Sequence, residues 1–305
     1  MSLSSLTLSS DDSTPPVSRR VSDLRARVAA WRQEGHSVAL VPTMGALHDG
    51  HAALMRRARA LADRVVVSIF VNPTQFGPNE DFTTYPRQEA QDLSLLARER
   101  VSLLWAPTVE EMYPTGFATR IEPGPLADGL CGPFRPRHFS GVATVVTKLL
   151  MQVRPDVACF GEKDYQQLQV IRATARDLDL AVGIEGVPIV READGLALSS
   201  RNAYLSADER ARAARLPRIL DETAAALAEP GADFEGILTA SKRRLTESGF
   251  GPIDYLDICD AADLRPMTGW PAACDRPARL LVAAKLGKTR LIDNLAVSRR
   301  DSPVQ

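Results

Sequence analysis

The sequence predicts an α/β protein, with a Rossmann-like doubly wound parallel sheet and a smaller C-terminal α+β domain. Through the first two-thirds of the chain, short apolar segments such as 64–71 (RVVVSIFV) alternate with helical segments. Parallel strands that are buried on both faces have this composition. After about residue 190 two helical segments precede three strand-like ones, which indicates a second fold unit.

The elements follow in order from the spacing of apolar residues. In the first unit we predict helices near 21–31, 51–62, 88–100, 141–153 and 164–178, and strands at 38–41, 64–71, 101–106 and 156–161. In the second unit we predict helices near 206–228 and 234–248, and strands at 252–260, 278–287 and 289–297.

The same pattern sets the domain boundaries. We expect a flexible tail at 1–18, a Rossmann-like domain at 19–188, the α+β domain at 189–298 and a short tail at 299–305. The first tail is rich in Ser and Thr and has little apolar surface to bury. It has neither a basic start nor an apolar h-region, so it does not resemble a secretory signal.

Composition excludes several classes of protein. The formal net charge of -1 over 305 residues argues against a general polyanion-binding protein and so against a nucleic-acid partner. No apolar run approaches the ~20 residues that span a bilayer, so no membrane association is expected. The cysteines are widely separated and form no CxxC pair, which favours a reduced, cytoplasmic protein without a disulfide framework or structural zinc; they are Cys131, Cys159, Cys259 and Cys274.

Four polar segments follow predicted strands, and in open α/β sheets ligands bind beyond the carboxyl ends of strands. The first is 43–51 (TMGALHDGH), where His48 and His51 can lie on one side of a first helical turn. A helix start favours anions such as phosphate. A purely structural strand-to-helix corner remains an equal alternative at this point, and a metal site is disfavoured because there is no HExxH.

The second segment is 70–87, in which Asn72 and Pro73 end a strand and a long loop carries Gln75. An Asn-Pro turn alone accounts for the first two residues. The neutral amide of Gln75 suits hydroxyl and carboxylate oxygens without adding charge.

The third segment is 160–168 (FGEKDYQQL), where Gly161 allows a close ligand approach and Lys163 offers a compact cation for phosphate. Asp164 equally suits a helix cap, and Gln167 lies one turn further. The fourth is 196–202 (LALSSRN), which by itself reads better as a loop and helix entry. Its hydroxyls and guanidinium also suit triphosphate oxygens; these are Ser199, Ser200 and Arg201.

The segment VPTMGALHDGH resembles the HIGH signature of nucleotidyltransferases and class I aminoacyl-tRNA synthetases, and SSRN resembles their second phosphate-binding signature. More specifically, VPTMGALHDGH, FVNPTQF, HFSGVATVVTKLL, FGEKDYQQLQVI and LALSSRN, in that order, resemble the pantoate–β-alanine ligase family. The resemblance runs from about residue 20 to 295. It implies that the strand-to-helix corner at 43–51 is part of an ATP site.

The resemblance implies a ligase that joins (R)-pantoate to β-alanine through a pantoyl adenylate, releasing pyrophosphate and then AMP. The product, pantothenate, leads to coenzyme A. His48 and His51 would contact the triphosphate, with His48 as proton donor, and Lys163 would bridge α-phosphate oxygens. Ser199, Ser200 and Arg201 would hold pyrophosphate. Gln75 and Gln167 would hold pantoate, with Gln75 also near β-alanine.

The implied ATP site is larger than these groups. Its residues are Met44, Gly45, Ala46, Leu47, His48, Asp49, Gly50, His51, Gly161, Glu162, Lys163, Asp164, Val190, Leu198, Ser199, Ser200 and Arg201. The resemblance also implies Mg²⁺ with ATP, a homodimer, and a C-terminal domain that closes over the site. Asp92 is the candidate protein contact to Mg²⁺, and an ordinary exposed helix aspartate is the equal alternative. Arg135 and His138 are candidates to reach the phosphates.

Two positions depart from the family pattern. Leu198 stands where Met is expected, a near-isosteric exchange that should cost little. Arg137 stands where Gly is usual, and its added Cβ and charge make the loop conformation before His138 an open question.

Two rival functions remain at this stage. A nucleotidylyltransferase that acts on a phosphorylated alcohol shares the first signature, but it would need a cationic substrate pocket in place of the neutral Gln75 and Gln167. A non-catalytic nucleotide-binding module is the second rival. Adenine binding alone needs few phosphate-type donors, whereas both histidines, Lys163 and SSRN are all present here.

Overall fold

The computed structural model describes residues 14–78, 80–271 and 277–300. Six strands form the first sheet: β1 (Val17–Ser18), β2 (Val38–Thr43), β3 (Arg64–Ile69), β4 (Leu103–Trp105), β5 (Val157–Gly161) and β6 (Gly183–Val187). Their spatial order is β1-β4-β3-β2-β5-β6, and every neighbouring pair is parallel. The predicted doubly wound parallel sheet is confirmed.

The helices of this unit are α1 (Val21–Gln33), α2 (Asp49–Leu61), α3 (Glu89–Arg98), α4 (Val109–Met112), α5 (His138–Val153) and α6 (Tyr165–Asp177). The second unit consists of α7 (Ala207–Ala213), α8 (Arg215–Leu227), α9 (Phe234–Glu247), β7 (Phe250–Asp260), β8 (Ala278–Leu286) and β9 (Thr289–Val297). Its strands form an antiparallel sheet in the order β7-β8-β9. The α+β character of this part is confirmed.

The alternation of side chains along the central strands produces two cores. Leu40 and Val66 point to one face, where they join a cluster that includes Leu24 of α1 and residues of α5. Ala39 and Val67 point to the other face, in a cluster with residues of α2 and α3. Strands buried on both faces must be apolar throughout, and this explains the run RVVVSIFV.

The sheet of the second unit also uses both faces. Leu256 and Val282 belong to a cluster with α8 and α9. Tyr255 and Ala283 alternate with them and pack in a cluster that contains Tyr165 of the first unit. The second unit is therefore joined to the first through an apolar interface beside α6.

Two expectations are corrected. The predicted tail extends through residue 18, but Val17 and Ser18 form β1, which pairs with Leu104 and Trp105 and extends the sheet at one edge. Strand β6 is not among the predicted strands, because Gly183, Glu185 and Gly186 interrupt the apolar pattern. Residues 1–13, Cys274 and residues 301–305 lie outside the described residues. Within the described ranges no helix is long and apolar enough to cross a membrane.

The strand order places the polar segments together. The chain runs outward from β2 through β3 to β4, and then returns to β5 and β6 on the opposite side of β2. This reversal opens a crevice at the carboxyl ends of β2 and β5, where ligands bind in sheets of this kind. The segments that follow β2, β3, β5 and β6 all leave the sheet at that edge.

Candidate active site

The turn between β2 and α2 fixes the two histidines. His48 is the N-cap of α2, and its Nδ1 accepts from the amide of Gly50 at 3.1 Å. The Nδ1 of His51 accepts from the amide of His48 at 3.2 Å. A neutral imidazole that accepts at Nδ1 carries its proton on Nε2, so both rings offer an Nε2–H donor.

The charge state of the pair follows from its surroundings. Burial, and then the charge of Lys163, lowers the pKa of His48. Burial, and then His48, lowers the pKa of His51 to about 3. The ring centroids are 4.1 Å apart, and two imidazolium ions so close would repel each other. The pair is therefore neutral at pH 7 and can donate to an anion.

The turn after β5 presents Lys163 and is held by the second unit. Lys163 Nζ lies 3.7 Å from a carboxylate oxygen of Asp164. The side-chain amide of Asn294, in β9, donates to the carbonyls of both Glu162 and Lys163 at 2.9 Å, and Arg279 pairs with Glu162 at 3.1 Å. Desolvation opposes ionisation of Asp164, but the charge of Lys163 holds the pKa of Asp164 below its usual value.

The SSRN segment begins a 3₁₀ turn, Ser200–Tyr204, capped by the Ser199 hydroxyl. Arg201 donates to both carboxylate oxygens of Asp81, at 2.9 and 3.1 Å. The hydroxyl of Tyr85 lies 3.5 Å from that of Ser200. The long loop after β3 thus lies against the proposed pyrophosphate side of the site.

The same loop contacts the N-terminal end of α5. Arg135 donates to both carboxylate oxygens of Glu80, at 2.7 and 2.6 Å, and to Nε2 of His138 at 2.9 Å. His138 then donates from Nδ1 to the carbonyl of Gln75 at 2.8 Å. Burial, and then Arg135, lowers the pKa of His138 to about 3, so this ring is neutral.

Gln75 is placed by its own turn. Its amide nitrogen donates to the sulfur of Met44 at 3.2 Å, and its amide oxygen accepts from Asn72 at 3.0 Å. Asn72 also donates to the carbonyl of Gly141 at 3.2 Å. A Cβ at Gly141 would come within 2.4 Å of the Thr74 carbonyl, so the start of α5 packs directly on this turn.

A cavity of about 1350 Å³ opens at this edge of the sheet. The predicted site residues in its lining are Arg135, Lys163, Asp164, Ser199 and Arg201. The lining found among the described residues does not include the other predicted positions, which are residues 44–51, Gln75, Asp92, His138, Gly161, Glu162, Gln167, Val190, Leu198 and Ser200. One close approach relates the first polar segment to the last: a Cβ at Gly50 would lie 3.7 Å from the Cβ of Leu198 and 2.8 Å from Cε1 of His48. The HIGH-like turn and the SSRN segment are therefore adjacent.

The remaining predicted positions are less constrained. Val190 accepts from the amide of Leu198 at 2.9 Å. Gln167 is partly buried on α6, and its side chain has no hydrogen-bond partner within the described part of the chain. Arg137 has a φ of 67°, so the loop keeps a left-handed conformation that glycine adopts at less cost.

Asp92 lies in surroundings that neither alternative foresaw. It is 1% exposed, and its two carboxylate oxygens accept from the amides of Ala46 at 3.1 Å and Leu47 at 2.8 Å. The expectation of an exposed helix side chain is therefore wrong. The described residues also contain no group of three or more His, Cys, Asp or Glu arranged to hold a metal.

Known proteins are similar to this chain in both sequence and fold. A family model for pantoate–β-alanine ligase matches residues 16–296. A pantothenate synthetase from Paramagnetospirillum magneticum is 58% identical over 281 residues, which cover 92% of this chain and 97% of that one. The chain belongs to the pantoate–β-alanine ligase family.

Solved structures of the ligase family agree in fold. A Thermus thermophilus pantothenate synthetase superimposes with a TM-score of 0.84 at 47% identity, covering 92% of this chain and 98% of that one. A Francisella tularensis pantoate–β-alanine ligase, solved with beta-gamma ATP and β-alanine, gives a TM-score of 0.76 at 35% identity, with 92% and 97% covered.

Sequence reasoning missed several residues that shape this ligase-family site. Glu80 and Asp81 hold Arg135 and Arg201, and Asn294 holds the lysine turn. Their signal in the sequence is weak because acidic residues and Asn are common in loops and edge strands. Asn72 lies in the FVNPTQF motif. An Asn-Pro turn already accounted for it in the sequence, so its hydrogen bond to Gln75 was not predicted.

Proposed function

We propose that this protein condenses (R)-pantoate with β-alanine to give pantothenate, with ATP converted to AMP and pyrophosphate. The observation that carries the proposal is the convergence of phosphate-type donors at one sheet edge in a chain of this family. Neutral imidazole donors, a lysine and the SSRN hydroxyls come from separate loops. Such an array suits a triphosphate better than a single anion.

In the first step, a carboxylate oxygen of pantoate attacks the α-phosphorus. The new C–O–P bond forms as the bond to the β-phosphate breaks, and pyrophosphate leaves with the electron pair. We assign Lys163 to the α-phosphate, where charge builds in the transition state. His48 and His51 donate hydrogen bonds from Nε2 to triphosphate oxygens. Because both rings are neutral, we assign His48 as a hydrogen-bond donor in place of the proton donor that the family resemblance implies.

The pyrophosphate side is assigned to the SSRN segment. Ser199 and Ser200 offer hydroxyl donors, and Arg201 offers a planar guanidinium that matches phosphate oxygens bidentately. Arg135 supplies a second guanidinium to the same cavity. With Leu198 and Val190 toward the adenine, these groups complete the proposed ATP site.

In the second step, the β-alanine amine attacks the activated carbonyl and AMP departs with the bonding electrons. We assign Gln75 and Gln167 to pantoate, whose hydroxyl and carboxylate oxygens they bind without adding charge. Neither step needs a protein nucleophile. Cys159, in the strand that leads to Lys163, is fully buried, and burial raises the pKa of this thiol to about 11.

Three further proposals concern Mg²⁺, the movement of the second unit and the oligomeric state. Mg²⁺ enters as the counter-ion of ATP; Asp92 does not fit as its ligand, because its buried oxygens already accept two amide hydrogens. The unit at 189–298 closes over the site of the unit at 19–188. The active form is a cytoplasmic homodimer. Sedimentation of the purified protein tests the last of these.

Exchange of labelled pyrophosphate into ATP tests the central proposal. With pantoate and no β-alanine, the adenylate route predicts exchange, and Cys159→Ser should retain it. A requirement for β-alanine before any exchange contradicts the mechanism, and so does labelled pantoate trapped on the denatured protein through a thiol. AMP transfer to a phosphorylated alcohol instead of pantoate would support a nucleotidylyltransferase, and ATP binding without turnover would support a non-catalytic module.

A further inference from the structure

The turn that leads to the histidines has an unusual backbone. Gly45 has a φ of 83° and Ala46 a φ of 51°, so two consecutive residues occupy the left-handed region. Alanine enters this region at a steric cost that glycine does not have. Such a conformation persists only where the surroundings hold it.

The Asp92 carboxylate is in position to hold it. The side chain comes from α3, and its oxygens Oδ2 and Oδ1 accept from the successive amides of Ala46 and Leu47. Consecutive amides that converge on one anion form the backbone arrangement known as a nest. The anion in this nest belongs to the protein.

The fit around the carboxylate is close. A Cβ at position 45 would approach Asp92 Oδ2 and the Ile69 side chain to 3.1 Å each. Asp92 is 1% exposed, and burial raises the pKa of its carboxyl although the two amides favour the ionised form. A buried carboxylate with this geometry has no free approach for a hydrated ion.

We propose that Asp92 is a positioning residue, which holds the 45–47 turn so that His48 and His51 present their Nε2–H groups to the nucleotide. The proposal rests on the proposed function, because it assigns the turn to ATP. It differs from a metal-ligand role, since Asp92 acts through the backbone amides and touches neither ATP nor Mg²⁺.

The coupling between the turn and the histidines is short. The amide of His48 follows that of Leu47 directly, and it donates to Nδ1 of His51. A rotation of the turn therefore moves the N-cap of α2 and both rings together. Displacements of about 1 Å in positioning groups can lower turnover about a hundredfold.

The decisive variant is Asp92→Asn, which keeps the size of the side chain. Its amide group has only one acceptor oxygen, so one of the two backbone amides must face an NH₂ group. We expect the amides of Ala46 or Leu47 to lose protection in hydrogen exchange of the ligand-free protein. We expect kcat to fall roughly ten- to a hundredfold, with the Mg²⁺ concentration for half-maximal activity unchanged.

A second substitution separates positioning from any other role. Ala46→Gly makes the left-handed conformation easier to adopt, so Ala46→Gly with Asp92→Asn should recover part of the kcat lost by Asp92→Asn alone. Glu89→Gln is the matched control, because Glu89 is a carboxylate of the same helix that pairs with Arg19 at the surface. It should change neither exchange nor kcat.

Three results would overturn the proposal. One is a raised Mg²⁺ requirement in Asp92→Asn with unchanged amide protection, which would make Asp92 a metal ligand. Another is an equal loss in Glu89→Gln, and a third is no recovery with Ala46→Gly. Should Asp92→Asn fail to fold, the wild-type protein still decides: the Ala46 and Leu47 amides must exchange more slowly than that of the exposed Asp49. These exchange measurements need no substrate, so they remain informative if the proposed reaction is wrong.

Discussion

Two sides of the same crevice are built in opposite ways. On the side of α2, the turn that carries the histidines is fixed by neutral rings and by a buried carboxylate on backbone amides. On the side of the loop after β3, Arg135 and Arg201 are held by Glu80 and Asp81 in ion pairs that are partly exposed. The first side offers donors without net charge, and the second offers cations that already have anionic partners.

The difference shows how one site can combine a rigid side, with fixed hydrogen-bond donors, and a side whose cations can exchange their anionic partners. The hydrogen bonds from the amides of Ala46 and Leu47 to Asp92 are buried under α3, so the turn that carries the histidines is already oriented in the ligand-free protein. The carboxylates of Glu80 and Asp81 occupy positions on the guanidinium groups that phosphate oxygens would take. Under the proposed assignment of Arg135 and Arg201 to phosphate oxygens, ATP binding on that side would exchange one anion for another.

The largest effect is expected from Lys163→Ala, since Lys163 lies between the two sides and faces the proposed site of reaction. Loss of one charged contact to the transition state costs ~3 kcal/mol, or a hundred- to a thousandfold in kcat. The KM for ATP should change much less. Steady-state kinetics measure both values, and Lys242→Ala, far away on α9, is the control. A loss in ATP affinity with kcat preserved would mean that Lys163 only binds substrate.

A smaller effect is expected from the neutral amides. Gln75→Ala and Gln167→Ala leave polar atoms of bound pantoate without partners, at a cost of about 1–3 kcal/mol. The KM for pantoate should therefore rise roughly ten- to a hundredfold, with that for ATP nearly unchanged. Gln91→Ala, an exposed glutamine of α3, controls for the substitution itself. An increase in the KM for ATP alone would contradict the assignment of these two residues to pantoate.

Local patterns predicted most of the fold and the composition of the site. The segments that follow the strands could be read from the sequence because each of them combines a strand end with donors of one kind. The pairs that hold them could not be read in this way. Asp81 lies 120 residues from Arg201, and Glu80 lies 55 from Arg135, so only the folded chain shows which carboxylate meets which cation.

The environment of Asp92 shows the same limit. In the sequence it is one acidic residue on an amphipathic helix, and such residues are usually exposed. Its burial follows from the packing of α3 against the turn after β2, 45 residues earlier. Strands β1 and β6 were missed for a related reason, since edge strands need not show the apolar run of central ones.

The third prediction concerns pH and compares a histidine from each side. His51 and His138 both have a pKa of about 3 in the folded protein, whereas an unfolded histidine titrates near 6.5. Between these values the unfolded chain binds more protons, so the free energy of unfolding falls as pH is lowered through this window. Each histidine contributes up to about 1.4 kcal/mol per pH unit.

Urea unfolding measures this slope. It is carried out at several pH values between about 4 and 7, which lie largely within the window set by these pKa values. His51→Gln and His138→Gln should each flatten it, because each removes one group that must stay neutral in the fold. Flattening by only one of the two would show that the other side of the crevice opens and takes up a proton without global unfolding. A slope unchanged by either substitution would contradict both assignments of neutral rings.

The smallest effect is expected from Asp81→Asn, and it addresses the comparison most directly. Arg201 is 30% exposed and Asp81 21%, so their pair is screened by water and contributes up to about 1 kcal/mol. Removing the carboxylate charge frees the guanidinium for phosphate oxygens. The KM for ATP should fall roughly two- to fivefold, in proportion to that energy.

Two controls accompany this prediction, a substitution at a distant ion pair and a measurement at high salt. Glu222→Gln breaks an ion pair with Arg244 at an exposed site of the second unit and should leave the KM for ATP unchanged. High salt screens part-exposed pairs, so it should also shrink the difference between the Asp81→Asn variant and the wild-type protein. A rise in KM instead of a fall would mean that Asp81 still orients Arg201 when ATP is bound. The two sides of the crevice would then both be fixed in advance, and the exchange of anions would not take place.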